Sequence, residues 1–230
     1  MVTAIDARMK LHRHKTPQQR PRSEVAQIAA LHCQTVWRRP IAAHSTAAFA
    51  AVRDRVERSG QTLIIDSCCG TGDSTRHLAA AFPDSLVLGL DKSAHRLARH
   101  RGAEDSNYLL LRTDVRDFWR LAHDAGWRAW RHYLLYPNPY PKPSQIRKRW
   151  YGSPALPALL NLGGVLTVRT NWSFYAEEFV VALDAVGVEA KWREIATERP
   201  ITGFETKYLA RGDALFELVG DLNVGVGGAK

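Results

Sequence analysis

The sequence predicts an α/β protein in which mostly parallel strands alternate with helices to form a doubly wound sheet. From residue 61 onward, short β-branched or leucine-rich runs recur with helical patterns between them, and parallel pairing requires such helical returns. A glycine turn, Gly70-Thr71-Gly72, follows the first run, and Asp66, Asp91 and Asp114 stand at the ends of three successive runs. In an open α/β sheet these strand ends line the ligand crevice.

The individual elements follow in chain order. Ser23 begins one helix, and a second helix runs from about 45 to 57 and stops at Gly60. Strand-like runs lie near 62–66, 85–90, 107–112, 132–136 and 164–170. Helical patterns lie near 74–82, 93–101, 115–125, 154–161 and 173–186. Residues 189–219 supply two last strands as an antiparallel hairpin, so we expect seven strands with helices on both faces of the sheet.

Four segments are predicted along the 230 residues. Residues 1–22 form a basic arm with too few large apolar side chains to fold alone, so it is either a flexible arm that touches RNA or a disordered tail. Residues 23–60 hold the N-terminal helices, 61–222 form the α/β domain, and 223–230 are a loose tail.

Charge and cysteine content narrow the class of partner. The net charge of +9 and the isoelectric point of about 9.7 favour a polyanion, with nucleic acid ahead of an anionic membrane. Cys33, Cys68 and Cys69 make neither a disulfide framework nor metal-ligand spacing, so we expect reduced, packed thiols and no metal. No run has the length of a membrane helix and no signal core is apparent, which predicts a cytoplasmic protein. The histidines His95, His100 and His123 fall on predicted helix surfaces.

The sequence of the glycine turn distinguishes between a dinucleotide and S-adenosylmethionine as the predicted cofactor. A dinucleotide site requires Gly-x-Gly-x-x-Gly, and here Thr75 holds the place of the third glycine. Asp66 and Asp73, at the two ends of the turn, repel a pyrophosphate but suit the ammonium and sulfonium groups of S-adenosylmethionine. Asp91 is placed for the ribose hydroxyls and Asp114 for the adenine amino group. We therefore predict S-adenosylmethionine and disfavour a nicotinamide cofactor.

A second group of candidate site residues follows the fourth strand-like run. In Tyr136-Pro137-Asn138-Pro139-Tyr140-Pro141-Lys142, three prolines stiffen the loop and present Asn138 beside the expected methyl donor. Arg147, Lys148 and Arg149 come next, with the aromatic residues Trp150 and Tyr151 behind them. Basic groups neutralise phosphates and aromatic faces stack on bases, so the stretch predicts RNA contact; a solvated helix face is the alternative.

On these motifs the chain resembles the bacterial tRNA (guanine-N7)-methyltransferase family over roughly residues 60–219. The proline loop is similar to that family's Phe-Pro-Asp-Pro-Trp-x-Lys, and the basic stretch follows it in both. The family's Gly-Gly, Thr-Asp-Trp, Tyr-Ala-Glu and Thr-Lys-Phe-Glu-x-Arg-Gly patterns correspond to Gly163-Gly164, Thr170-Asn171-Trp172, Tyr175-Ala176-Glu177 and Thr206-Lys207-Tyr208-Leu209-Ala210-Arg211-Gly212.

The resemblance implies a Rossmann-like class I methyltransferase domain over 61–222, and methyl transfer from S-adenosylmethionine to guanine N7 in tRNA. We expect a monomer or homodimer. Asn138 is the implied catalytic residue. The expected cofactor-binding residues are Asp66, Cys68, Gly70, Gly72, Asp91, Lys92, Asp114, Val115 and Asn138. The expected substrate-binding residues are Lys142, Arg147, Lys148, Arg149, Asn171, Thr206, Lys207 and Arg211.

Three acids of the family patterns are replaced in this chain, by Asn138, Asn171 and Leu209. A carboxylate accepts hydrogen bonds on both oxygens, whereas an amide has one donor side, so the base pocket is predicted to be altered. Two alternatives therefore stay open: a related methyltransferase with another base, RNA or small molecule as acceptor, and a catalytically weak RNA-binding relative. Cys68 replaces the first motif glycine, which costs little if its φ is negative.

Overall fold

The structure, a computed structural model, describes residues 21–102 and 107–223. Its strands are β1 (Thr62–Ser67), β2 (Ser85–Asp91), β3 (Tyr108–Arg112), β4 (Arg131–Leu135), β5 (Val165–Thr170), β6 (Ala190–Ile195) and β7 (Leu215–Asp221). Its α-helices are α1 (Glu24–Gln34), α2 (Ala43–Ser59), α3 (Asp73–Ala81), α4 (Ala94–Leu97), α5 (Val115–Asp124), α6 (Leu156–Leu162), α7 (Ser173–Asp184) and α8 (Gly203–Ala210). Two short 3₁₀ turns, Pro143–Lys148 and Trp150–Gly152, follow β4.

The strands form one sheet in the order β3-β2-β1-β4-β5-β7-β6. The first five pair in parallel, and β7 runs antiparallel to both β5 and β6. This confirms the predicted mostly parallel seven-stranded sheet with antiparallel last strands.

The connection between β6 and β7 differs from a simple hairpin because it contains α8, which the periodicity did not predict. Thr202 caps α8, its hydroxyl oxygen accepting the Glu205 N–H at 2.9 Å. Most other residues of α8 are exposed or half-buried, so no apolar stripe marks the helix in the sequence. The cap motif was therefore the available signal.

Helices cover both faces of the sheet, as predicted. On one face, Ile65 of β1 belongs to the larger core cluster, which includes Phe118 of α5 and Phe179 of α7. On the other face, its neighbour Ile64 packs in a smaller cluster with Leu78 of α3. Ile64 and Ile65 are both fully buried, as expected for a parallel strand with helices on each side.

The N-terminal helices α1 and α2 form where the sequence predicts them. The backbone N–H of Arg22 donates to Glu178 Oε1 at 3.0 Å, which ties the start of α1 to α7. Cys33 is exposed, so the prediction that all three thiols are packed is wrong for it. Most of the predicted basic arm (residues 1–20) and of the predicted tail (residues 224–230) lies outside the described residues, and those two predictions stay predictions.

In the described part of the chain, no helix has the length and apolarity needed to cross a membrane. The same residues contain no group of three or more side chains arranged to hold a metal ion.

Candidate active site

A cleft of about 790 Å³ opens beyond the carboxyl ends of the parallel strands, where the strand order reverses between β1 and β4. The predicted site residues that line it are Cys68, Asp91, Lys92, Asp114, Val115, Asn138, Arg147 and Lys148. Those that do not line it are Asp66, Gly70, Gly72, Lys142, Arg149, Asn171, Thr206, Lys207 and Arg211. The structure thus brings two of the three strand-end acids, Asp91 and Asp114, together with the proline loop at one site.

The turn after β1 uses left-handed backbone at Cys68, Gly70 and Gly72, with φ of 65°, 65° and 81°. Glycine adopts this conformation at little cost, and the Gly70 N–H donates to Asp91 Oδ2 at 3.0 Å. The condition for a low-cost replacement of glycine is not met, because φ of Cys68 is positive and this residue holds a side chain in a strained conformation. Burial raises the pKa of the Cys68 thiol to about 12, which keeps it protonated.

We expect Cys68→Gly to raise the free energy of unfolding by about 0.5–1 kcal/mol relative to Cys68→Ala, because only glycine relieves the left-handed strain. Alanine is the matched control, since it also removes the thiol but retains Cβ. Urea unfolding of the two variants measures the difference. An alanine variant at least as stable as the glycine variant would contradict the strain.

Asp66 lies beneath the turn and does not face the cleft. It is fully buried, and its Oδ2 accepts from the hydroxyls of Ser74 and Thr75 at 2.6 and 2.7 Å, which fixes the first turn of α3. Its Oδ1 has no hydrogen-bond partner. Burial raises the pKa of the Asp66 carboxyl to about 6, against the opposing effect of the two hydroxyls, and the nearby Asp91 adds to the increase.

A raised pKa in the folded state means that the folded protein holds this proton more tightly than the unfolded chain does. Asp66 therefore lowers stability as the pH rises from about 4 to 6, by about 3 kcal/mol in total, and contributes no further slope above that range. We expect Asp66→Asn to flatten the stability profile between these pH values. Urea midpoints of both proteins across the window test this, and parallel profiles would count against it.

Asp91 ends β2 with its carboxylate almost fully buried. Oδ2 accepts the Gly70 N–H, Oδ1 accepts the Ser93 N–H at 2.8 Å, and Arg96 Nη2 forms an ion pair with Oδ1 at 3.0 Å. A carboxylate offers about four acceptor positions. One thus remains on Oδ2, and a second opens on Oδ1 if Arg96 moves away.

Asp114, the N-cap of α5, is fully engaged by two arginines. Its Oδ1 accepts the backbone N–H and the Nε of Arg116 at 3.0 and 3.1 Å, and its Oδ2 accepts Arg116 Nη2 at 2.9 Å and Arg39 Nη2 at 3.0 Å. Partial burial opposes ionisation, but the hydrogen bonds and charges of Arg116 and Arg39 outweigh it and lower the Asp114 pKa to about 2. A ligand amino group can reach this carboxylate only by displacing an arginine.

The proline loop is held in a fixed, strained shape. Tyr136 and Tyr140 have positive φ of 53° and 44°, a conformation that costs a non-glycine residue free energy. Asn138 Oδ1 accepts the Tyr140 N–H at 3.1 Å. The Asn138 amide nitrogen can donate to a ligand in the cleft, and Oδ1 retains its second acceptor position.

Glu205 is a buried site residue that the sequence analysis missed. Its Oε1 accepts from the Tyr136 hydroxyl at 2.9 Å and from Arg169 Nη1 at 2.8 Å, so it links α8 to the proline loop. The family's Thr-Lys-Phe-Glu pattern also matches Thr202-Gly203-Phe204-Glu205. The buried position of Glu205 is compatible with this second match, and the replacement of a family acid by Leu209 stays a prediction.

Arg149 was predicted to bind substrate, and the structure contradicts this. Its side chain is fully buried, where it donates to Glu178 Oε2, to the Tyr151 hydroxyl and, at 3.1 Å, to the Tyr140 carbonyl oxygen. Its charge is therefore neutralised inside the protein beneath the proline loop. Tyr151 is also fully buried and presents no face to a base.

The other predicted substrate residues lie around the cleft. Asn171 is buried and donates to Asp213 Oδ2 at 3.2 Å, and Arg211 pairs with the same oxygen at 3.2 Å. Lys142 is exposed, and so are Thr206 and Lys207 on α8.

His100, predicted on a helix surface, instead supports the glycine turn. Its Nδ1 lies 2.8 Å from the Thr71 carbonyl oxygen, which only accepts, so Nδ1 is the donor. Its Nε2 lies 2.7 Å from the Tyr108 hydroxyl of β3. The predicted helix ends early, at Leu97, and this brings His100 under the turn.

The sheet order, the glycine turn and the cleft beyond the strand ends define a Rossmann-like class I methyltransferase. Two solved structures share this fold. The 16S rRNA methyltransferase KamB is 17% identical, with a TM-score of 0.56 over 74% of this chain and 93% of that one. A 16S rRNA (adenine(1408)-N(1))-methyltransferase from Catenulisporales acidiphilia is 15% identical, with a TM-score of 0.54 over 77% and 91%.

Sequence comparison identifies the family. A family model described as a putative methyltransferase matches residues 60–218. A tRNA (guanine-N(7)-)-methyltransferase of Nocardioides sp. is 33% identical over 178 residues, which is 70% of this chain and 68% of the relative. One from Anaeromyxobacter dehalogenans is 33% identical over 179 residues, covering 72% and 88%. The chain belongs to this methyltransferase family, which confirms the predicted resemblance.

Proposed function

We propose that the protein transfers a methyl group from S-adenosylmethionine to the N7 atom of a guanine in tRNA. The observation that carries the proposal is the single cleft that holds Asp91 and Asp114 together with the Asn138 loop and two cations, Arg147 and Lys148. Family membership supports the same reaction. The cytoplasm, where tRNA is found, is the compartment we propose.

The acids fit the cofactor. Asp91 has one open acceptor position and gains a second when Arg96 leaves, which suits the two ribose hydroxyls. Asp114 would accept from the adenine amino group once an arginine withdraws, with Lys92 and Val115 lining the same part of the cleft. S-adenosylmethionine supplies an electrophilic methyl group when bound.

The reaction at guanine N7 makes modest demands on the protein. N7 carries a free lone pair, so no residue has to remove a proton before methyl transfer. The protein contributes alignment and electrostatics, and it excludes water. The Asn138 amide nitrogen can donate to the O6 acceptor of guanine and orient the base, a task that needs a donor rather than a carboxylate. Asparagine at this position is therefore compatible with the reaction.

RNA binding follows from the exposed cations at the rim. Arg147 and Lys148 are exposed and line the cleft, and Lys142 and Lys207 are exposed in the proline loop and on α8. Lysine and arginine near phosphates release counterions, which gives affinity that falls with salt. The net charge of +9 adds long-range attraction for a polyanion.

Transfer of labelled methyl from S-adenosylmethionine to unmodified tRNA, followed by nucleoside mass spectrometry, tests the proposal. We expect labelled 7-methylguanosine. A different labelled nucleoside would favour the second candidate, a methyltransferase with another acceptor, for which Asn138 and Asn171 are the specific observations. Cofactor and tRNA binding without transfer would indicate the RNA-binding relative and contradict the proposal.

A further inference from the structure

The open side of the cleft carries an aromatic pair on α8 that the proposed function does not use. Phe204 and Tyr208 are one helical turn apart, with ring centroids 6.1 Å apart and ring planes at 23°. Both line the cleft. Behind them, Tyr208 packs at 5.5 Å against Tyr136 of the proline loop. Phe204 remains 47% exposed at the edge of this stack.

The surroundings of Phe204 hold it in this position. On α8, the adjacent Glu205 is fully buried and bound to Arg169 and Tyr136, and Thr202 caps the helix. Single exposed apolar side chains are common on protein surfaces and need no explanation. Phe204 differs because its ring is stacked, lines the candidate active site and projects from an anchored helix. A ring face presented in this way is preorganised for a flat ligand.

We propose that the Phe204–Tyr208 pair is the stacking platform for a purine base that the RNA substrate extrudes into the cleft. This inference rests on the proposed function and adds to it the residues that bind the base face. Stacking on an aromatic ring is a common means of holding an unpaired base. An enzyme that modifies a base within a structured RNA has to remove that base from its stack, which costs free energy. An aromatic surface that stacks on the extruded base offsets part of this free energy.

The charges around the platform favour a nucleotide over an apolar protein segment. Arg147 and Lys148 line the same cleft, where they can meet the phosphates on either side of an extruded base. The Arg211 guanidinium lies 5.7 Å from the Tyr208 ring centroid, where it contacts the ring while it pairs with Asp213.

The platform and the proline loop are expected to divide the work of recognition. Every base has a π face, so stacking contributes affinity without choosing the base. Selection of guanine then falls to hydrogen bonds such as that of the Asn138 amide. Loss of the ring should therefore weaken RNA binding and catalytic efficiency together and leave cofactor affinity unchanged.

Phe204→Leu and Phe204→Trp test the platform, because leucine retains apolar volume without a ring face and tryptophan retains the face. Trp192→Leu is the matched control, since Trp192 is an exposed aromatic residue (38%) outside the cleft. The measurements are tRNA affinity of the S-adenosylhomocysteine-loaded protein, kcat/KM for tRNA, cofactor affinity and melting temperature. We expect Phe204→Leu to lose on the order of tenfold in tRNA affinity and in kcat/KM. The tryptophan variant and the control should retain both.

Wild-type tRNA affinity and kcat/KM in Phe204→Leu would overturn the platform, and so would a loss of cofactor affinity in that variant. Wild-type protein that binds tRNA but transfers no methyl would refute the proposed function alone. In that case the platform is judged by whether Phe204→Leu weakens the binding. Wild-type protein that does not bind tRNA would refute both.

Discussion

Replacement of Asp91 by alanine is expected to reduce the affinity for S-adenosylmethionine by a hundredfold or more. Asp91 has one acceptor position open and one held by Arg96, and two hydrogen bonds to a carboxylate are together worth about 3–6 kcal/mol. Alanine removes both acceptors, together with the bond from the Gly70 N–H that shapes the glycine turn. Calorimetric titration with the cofactor measures the loss, and binding within a few-fold of wild type would refute the role.

Arg96→Gln is the control for this prediction. Arg96 Nη2 forms an ion pair with Asp91 Oδ1 at 3.0 Å and is half-exposed, so we expect it to compete with a ribose hydroxyl for that oxygen. We expect the glutamine variant to bind the cofactor at least as tightly as wild type. Weaker binding would show that Arg96 contributes to the cofactor site directly.

Arg149→Met is expected to lower the free energy of unfolding by about 3–5 kcal/mol, because it breaks the fully buried ion pair between Arg149 and Glu178. Methionine fills much of the volume of the arginine side chain, so the loss of stability measures the removal of the charge more than a loss of packing. The variant also loses the bond to the Tyr140 carbonyl, which supports the proline loop from below. Chemical denaturation measures the effect, and a loss under about 1 kcal/mol would contradict it.

The adjacent Lys148→Met is the matched control, for which we expect the opposite result: almost unchanged stability and weaker tRNA binding. Lys148 is exposed and lines the cleft, so its removal should leave stability within about 0.5 kcal/mol. It should weaken tRNA binding and reduce the slope of log affinity against log salt by about 1 if Lys148 contacts a phosphate. If Lys148→Met is destabilised and Arg149→Met is not, the assignment of Arg149 as the buried structural residue and of Lys148 as the exposed RNA-binding residue is wrong.

The parallel part of the sheet could be predicted because its strands are marked locally by apolar runs with helical patterns between them, and the first three of these runs also end in an acid. The positions of Asp91 and Asp114 at the cleft could also be predicted, because the carboxyl ends of parallel strands lie at the same edge of a sheet. Helix α8 could not be predicted from periodicity because its buried contacts come mainly from Glu205, a charged residue.

The wrong assignments share a physical cause. Arg149 follows two exposed cations in the sequence, and nothing local shows that Glu178, on a helix beyond the next strand, neutralises it. Likewise, no local sequence signal shows that the Asp66 carboxylate accepts a hydrogen bond from Ser74 beneath the glycine turn. None shows that Arg39, which precedes α2, donates to Asp114. Partners distant in sequence decide these roles.

The contact between Arg39 and Asp114 also bears on where the functional unit begins. The family-model match starts at residue 60, yet Arg39, from the link between α1 and α2, forms hydrogen bonds with Asp114, which lines the cleft, and with the buried Asp117. A chain truncated at residue 60 would lose this clamp, together with Val25, Phe49 and Val52, which belong to the larger core cluster. The folded unit and its cleft therefore depend on residues that precede the family match.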